Sequence, residues 1–193
     1  MIHVLTGGPC SGKSTALAEI ARRGFAVIPE AAAAVILEGI LHPDRDPLAF
    51  QREVLRRQLK AEAAAPPGTV FEDRGIGDHF GYLENYRRRR GVDLRPAFGE
   101  ELERAWDAAR RRYGTVFLLE PAPVFRPEPF RREEPSEAAA IHRALAEAYG
   151  ERHPRVVPIP WGPVAERVDE ILRRVDGRQS TVTDGHPVEG IPP

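Results

Sequence analysis

The chain is 193 residues long, 41% hydrophobic and 30% charged, with a formal net charge of −1 at pH 7. That length and mixture fit one folded domain with a sizeable core, and the near-neutral balance supplies no global basic field for general nucleic-acid binding. No apolar run is long enough to cross a bilayer, the start lacks a charged segment followed by an apolar stretch, and the lone Cys10 excludes an intrachain disulfide; a cytoplasmic protein is expected.

In chain order, Ile2–Thr6 reads as a short strand, and Gly7-Gly8-Pro9-Cys10-Ser11-Gly12-Lys13-Ser14 follows it directly. This octet fits G-x-x-x-x-G-K-[ST] at every defined position, and a helical pattern opens at Thr15. Strand, glycine loop and helix together build an anion cradle from loop N–H groups and the positive end of a helix dipole. Gly7 and Gly12 permit backbone angles that a Cβ would hinder. Lys13 is placed to reach β- and γ-phosphates, and Ser14 to ligate Mg²⁺. Cys10 fills the loop with a small side chain. Lys13 and Lys60 are the only lysines in an arginine-rich chain.

Arg22-Arg23-Gly24 ends the first helix, Phe25–Ile28 forms a second strand closed by Pro29, and Ala31–Leu41 has helical length and propensity. After a proline- and aspartate-marked loop at 42–47, Leu48–Ala65 is helical, with Leu48, Val54, Leu55 and Leu59 in an apolar stripe. Thr69–Phe71 is a third strand running into Glu72-Asp73-Arg74-Gly75. Asp78–Arg89 and Pro96–Tyr113 are helices, the second with Phe98, Leu102, Ala105, Trp106 and Ala109 at helical spacing. Thr115–Leu119 is the most continuously apolar strand, of the kind buried on both faces. Residues 120–136 combine prolines with Arg126, Arg131 and Arg132, in the manner of a lid. Ser136 is placed to cap a helix over Glu137–Tyr149. Arg155–Ile159 is a fifth strand whose Pro158 points to an edge position. Pro163 starts an amphipathic helix with Val164, Val168, Ile171, Leu172 and Val175 on its apolar face. Residues 176–193 lack periodicity and read as a flexible tail beyond a domain of 1–175.

This alternation predicts an α/β fold: a five-stranded parallel sheet flanked by helices in a three-layer sandwich, with an Arg/Pro-rich lid. Its phosphate site belongs at the carboxyl ends of the strands, where Glu30, Asp73, Arg74 and the lid also emerge.

Thr6–Thr15, Ile28-Pro-Glu-Ala31, Phe71-Glu-Asp-Arg-Gly75 with Asp78, and Pro163-Val-Ala-Glu-Arg167 resemble, in order and spacing, a family of small P-loop ATPase-like domains. That family includes the nicotinamide riboside kinase domain of NadR, and the plan is similar to deoxynucleoside and thymidylate kinases. The resemblance runs from about Ile2 to Val175. It implies ATP- or GTP-dependent phosphotransfer, with Gly7, Gly8, Pro9, Cys10, Ser11, Gly12, Lys13, Ser14 and Thr15 holding the nucleotide. Glu30 stands where those kinases keep the base toward the acceptor hydroxyl, and Asp73 and Arg74 match their Asp-Arg pair. Asp73 would then join Ser14 at Mg²⁺, while Arg74 neutralises phosphate or orients the acceptor. Arg126, Arg131 and Arg132 would stabilise charge on the transferring group from the lid.

Bland readings stand beside these. Glu30 suits a first helical turn, Asp78 a helix cap, Trp161 packing at a helix start as well as a nucleotide base, and Arg87–Arg90 a solvated helix end. The six histidines show no zinc spacing with Cys10. There is no second nucleotidyltransferase domain, and residues 31–65 are poor in aromatics that would stack on a base. The chain is therefore expected to be a Mg-dependent small-molecule kinase, monomeric or homodimeric. The rivals are a nucleotide-dependent switch with a protein partner and a nucleic-acid-end kinase, the latter marked by strongly salt-dependent polynucleotide binding. Lys13→Ala is expected to abolish ATP·Mg²⁺ turnover; undiminished binding and turnover in that variant would refute a phosphate site at this loop.

Overall fold

The fold comes from a computed structural model, which describes residues 1–123 and 134–176. Five strands, β1 (Ile2–Thr6), β2 (Ala26–Ile28), β3 (Val70–Asp73), β4 (Tyr113–Leu119) and β5 (Val156–Ile159), make one parallel sheet in the order β2-β3-β1-β4-β5. Among the described residues the helices are α1 (Lys13–Arg22), α2 (Ala31–Leu37), α3 (Pro47–Ala63), α4 (Asp78–Arg90), α5 (Arg95–Ala109), α6 (Pro135–Arg152) and α7 (Val164–Asp176). β1 lies at the centre, paired with β3 on one side and β4 on the other. The chain winds toward β2 and β3 first and then crosses to β4 and β5. The order reverses beside β1, which is where an open parallel sheet leaves a crevice.

Each face of the sheet carries its own core. One gathers Val4, Val70, Ile76, Phe98, Leu102, Trp106 and Tyr149 beneath α3, α4, α5 and α6. The other gathers Leu5, Leu17, Ile20, Phe71, Phe117, Val168 and Ile171 beneath α1 and α7. β4 is buried along its whole length, as its apolar run implies, and Pro158 sits on edge strand β5, where a missing N–H costs no ladder bond.

Several boundaries differ from the sequence reading, each for a local reason. α2 stops at Leu37 rather than Leu41, because Gly39 adopts φ 70° and turns the chain. α5 stops at Ala109, and Tyr113 belongs to β4, where its hydroxyl accepts from the Ile76 N–H at 2.9 Å. α6 begins at Pro135 with Glu134 in the capping position, so Ser136 lies inside the first turn and is not the cap. The Arg87–Arg90 run is engaged rather than merely solvated. Arg87 and Arg88 pair with Glu84, Arg89 pairs with Asp44 and Glu137, and Arg90 pairs with Asp44. These exposed pairs contribute little individually, but they join the 38–46 loop and the start of α6 to the end of α4.

α4 and α6 approach closely. A Cβ on Gly77 would stand 2.4 Å from a Tyr149 ring carbon, and one on Gly81 would stand 2.8 Å from Leu145 Cδ2. That contact lets the buried Tyr149 hydroxyl donate to Asp78 Oδ2 at 2.8 Å.

Strand alternation sends Glu72 and Asp73 to opposite faces. Glu72 is fully buried on the α3 side next to Glu62, whose Oε1 accepts from Tyr113 at 2.6 Å and whose Oε2 accepts from Arg112 at 2.5 Å. No donor among the described residues reaches either Glu72 oxygen. Burial, then the neighbouring Glu62 charge, pushes its pKa well up, so folding favours the protonated form of Glu72. Because the folded pKa lies above the unfolded one, the stabilisation is full below the unfolded value and is lost as pH rises toward the folded value. Glu72→Gln, which cannot ionise, should raise the melting temperature more at pH above neutrality than in mild acid. An equal shift at both would contradict a protonated Glu72.

Candidate functional site

The loop from Gly7 to Ser14 bends sharply between β1 and α1. Gly7 has φ 139°, and a Cβ there would stand 2.5 Å from the Leu119 carbonyl oxygen. Gly12 has φ 75° and is packed against Arg167 and Trp161. Cys10 also adopts positive φ, 58°. Lys13, buried, donates from Nζ to Gly7 O at 2.9 Å, Gly8 O at 3.0 Å and Ser11 Oγ at 3.2 Å. Ser14 and Thr15 are exposed at the first turn of α1.

Glu30, Asp73 and Arg74 converge beside this loop, as their positions at strand ends predict. Glu30 occupies the capping position of α2 but makes no capping bond; it accepts from Arg74 Nε at 2.9 Å instead. Arg74 also donates from Nη1 to Gly7 O at 3.2 Å and to Asp78 Oδ1 at 3.1 Å, and its guanidinium lies 5.2 Å from the Tyr82 ring centre. Arg74 Nη2 is buried with no partner among the described residues. The residue has φ 67°, a left-handed conformation costing about 1–2 kcal/mol for an L side chain.

Asp78 is not the cap of α4: Gly77 holds that position, and Asp78 lies in the first turn with its carboxylate turned to other elements. It accepts from Thr6 Oγ1 at 2.8 Å, from the Gly75 N–H at 3.1 Å, and from Arg74 and Tyr149. One carboxylate thus ties the end of β1, the turn after β3, and α6 together.

Asp73 sits opposite Leu5 in the β1–β3 register, on the loop side of the sheet. Its Oδ1 is buried without a partner among the described residues. Burial first, then the Glu30 charge, raises its pKa to about 6, against the opposing pull of Lys13 and Arg74. A buried carboxylate oxygen with no protein donor suits a hard cation. Ser14 and Asp73 are the residues that would hold Mg²⁺. Arg126, Arg131 and Arg132 lie outside the described residues, as does the tail from 177.

Sequence reasoning missed several long-range contributors. Arg167 of α7, buried, donates from Nη1 to Ser11 O at 2.9 Å and lies 5.2 Å from the ring centre of Trp161, which is 45% exposed. His142 of α6 accepts from the Gly8 N–H at 3.3 Å and faces Glu120 at 3.3 Å. Tyr82 of α4 lies against the Arg74 guanidinium, an aromatic contributed from outside residues 31–65. Only the Pro163–Arg167 similarity offered any signal for these.

A three-layer parallel sheet with its phosphate loop beside the switch in strand order defines a P-loop nucleoside- and nucleotide-kinase-like fold. The chain belongs to an AAA-domain family, whose model matches residues 2–167. No curated protein sequence matches it. Among solved structures it is similar to NadR in complex with NR (16% identity, TM-score 0.73), covering 98% of this chain and 54% of that one. It is also similar to deoxyadenosine kinase from M. mycoides (13% identity, TM-score 0.62, 92% of this chain and 100% of that one). Thymidylate kinase from Candida albicans is a third (14% identity, TM-score 0.61, 92% of each chain). No helix among the described residues is long and apolar enough to cross a membrane.

Asp73 has a folded pKa of about 6 against an ordinary 3.8. Its neutral form is therefore favoured by folding, and stability is lost as pH rises from the ordinary value through about 6. In the absence of nucleotide, Asp73→Asn should stabilise the fold at pH 8 by up to about 3 kcal/mol, and by much less below pH 4. Equal unfolding midpoints for both proteins at pH 8 would contradict this.

Proposed function

We propose that this protein transfers the γ-phosphoryl group of ATP to a hydroxyl of a small molecule. The observation that carries this reading is the position of Glu30, held by Arg74 at 2.9 Å beside the loop of Lys13 and the unpartnered oxygen of Asp73. A loop that only holds nucleotide needs no anchored carboxylate on the acceptor side.

In this reading the loop N–H groups and Lys13 hold the phosphates, and Ser14 and Asp73 hold Mg²⁺, which neutralises charge on the β- and γ-phosphates. The acceptor hydroxyl gives its proton to Glu30 as its oxygen bonds to the γ-phosphorus. The bond from that phosphorus to the bridging oxygen breaks, and ADP leaves. Arg74 Nη2 is the guanidinium nitrogen left to bond the transferring group or the acceptor. Trp161, exposed beside Gly12, is a platform for the nucleotide base.

Charge narrows the acceptor. Among the described residues, Lys13 and Arg74 face Glu30, Asp73 and Asp78. That balance favours a neutral or cationic hydroxyl compound, such as a nucleoside, over one already phosphorylated. Likeness in fold to deoxyadenosine kinase and to NadR with bound NR supports the same class.

A screen of nucleosides and small hydroxylated metabolites for ATP-dependent phosphorylation tests the proposal. With the acceptor found, Glu30→Gln should slow transfer by about 10²–10⁴-fold while leaving ATP·Mg²⁺ affinity nearly unchanged. Transfer at the wild-type rate in Glu30→Gln would remove Glu30 as the base. ATP hydrolysis with no acceptor in the screen would favour a nucleotide-dependent switch.

A further inference from the structure

Arg74 is strained and buried, and the phosphotransfer reading gives it a task, yet nothing above explains what keeps its backbone in place. Its N–H donates to Leu5 O at 3.0 Å, as a strand residue would. Its carbonyl turns away from the sheet and accepts from Gln58 Nε2 of α3 at 3.0 Å. Gln58 Oε1 in turn stands 2.7 Å from His79 Nε2 of α4, and Gln51 Oε1, two turns earlier on α3, stands 2.5 Å from His79 Nδ1. Gln58 is 4% exposed and His79 3%.

We propose that His79 is a positioning residue: through Gln58 it locks the left-handed backbone of Arg74 and so aims the guanidinium at Glu30 and the loop. This rests on the phosphotransfer reading for its consequence, but the geometry fixes the polarity of the two links nearest Arg74. A carbonyl only accepts, so Gln58 must present its Nε2 to Arg74 and its Oε1 to His79. His79 Nε2 therefore carries a proton. Burial holds the imidazole neutral, its pKa pushed down to about 3, so Nδ1 is bare and needs a donor. A neutral ring can donate to only one of the two amide oxygens it faces, and Arg74 fixes the Gln58 end, so the partly exposed Gln51 amide must flip to bring its NH₂ to Nδ1. With Gln51 so flipped, the Nε2–H tautomer is the neutral form that satisfies all three bonds. The Nδ1–H tautomer sets two acceptors face to face at Gln58 and frees the Arg74 carbonyl, and so the peptide plane that follows the strained residue, to flip. Phe98 packs against the ring, 5.9 Å between centres, and keeps it from rotating.

The relay is tested on the full-length chain with three variants and two readouts. Gln58→Met and His79→Leu each break it, while His79→Gln keeps an N–H donor toward Gln58. With ATP·Mg²⁺ and a nucleoside mixture, the first two should lower the maximal rate about tenfold or more, with KM for ATP unchanged within about twofold. His79→Gln should recover most of the rate. Loss confined to KM, or equal loss in His79→Gln and His79→Leu, would overturn the positioning role. The second readout needs no turnover. Nitrogen-labelled imidazole NMR should show His79 neutral with its proton on Nε2 from about pH 8 to about pH 5. A cationic ring or the Nδ1–H tautomer would refute the relay. A wild type that consumes no ATP but shows this tautomer would count against phosphotransfer and leave the relay standing.

Discussion

The site depends on one buried guanidinium. Arg74 is taken wholly out of water, at a desolvation cost of several kcal/mol that only close partners offset. Those partners come from three places in the chain: Glu30 at the start of α2, Gly7 in the loop, and Asp78 at the start of α4. None of these elements can shift without leaving a buried charge short of a partner. Glu30, which ordinary helix chemistry would leave to solvent, is thereby held at the sheet edge. The positive φ at Arg74 is the local expense of this arrangement, and strain of this sort persists only where the surroundings over-determine it.

Adjacent residues of β3 divide the work by the two-residue period of a strand. Asp73 faces the loop, Lys13 and Glu30, while Glu72 faces α3 and the Glu62 carboxyl. Both carboxyls are pushed toward the neutral form, but to different ends. Glu72 is sealed in the core, with no hydrogen-bond partner at either oxygen among the described residues. Asp73 has an oxygen with no protein partner among the described residues, so its ionised form gains most when a cation arrives. Stability given up at Asp73 is what makes it responsive to a ligand.

The phosphate loop was legible because its chemistry is local: eight consecutive residues, a strand before and a helix after. Glu30, Asp73 and Arg74 were legible at one remove, since a parallel sheet brings the carboxyl ends of its strands to one edge. The remaining contacts depend on packing at long range. Nothing near Arg167 in sequence announces that it will reach Ser11, and nothing near His142 announces Gly8. Asp78 looked like a cap because a cap needs only its own helix, whereas its other bonds require Thr6 and Tyr149. The helix ends misjudged at Leu37 and Ala109 have the same origin. A glycine turn stopped one helix, and a tyrosine with partners across the sheet drew the chain into β4 after the other.

The stoichiometry of ATP consumption tests the central claim most directly. Incubated with ATP·Mg²⁺ and a neutral nucleoside-type acceptor, the protein should release ADP and phosphorylated acceptor in equal amounts, with little free phosphate. ADP and free phosphate in equal amounts, with no phosphorylated acceptor across a broad panel, would contradict phosphotransfer through Glu30.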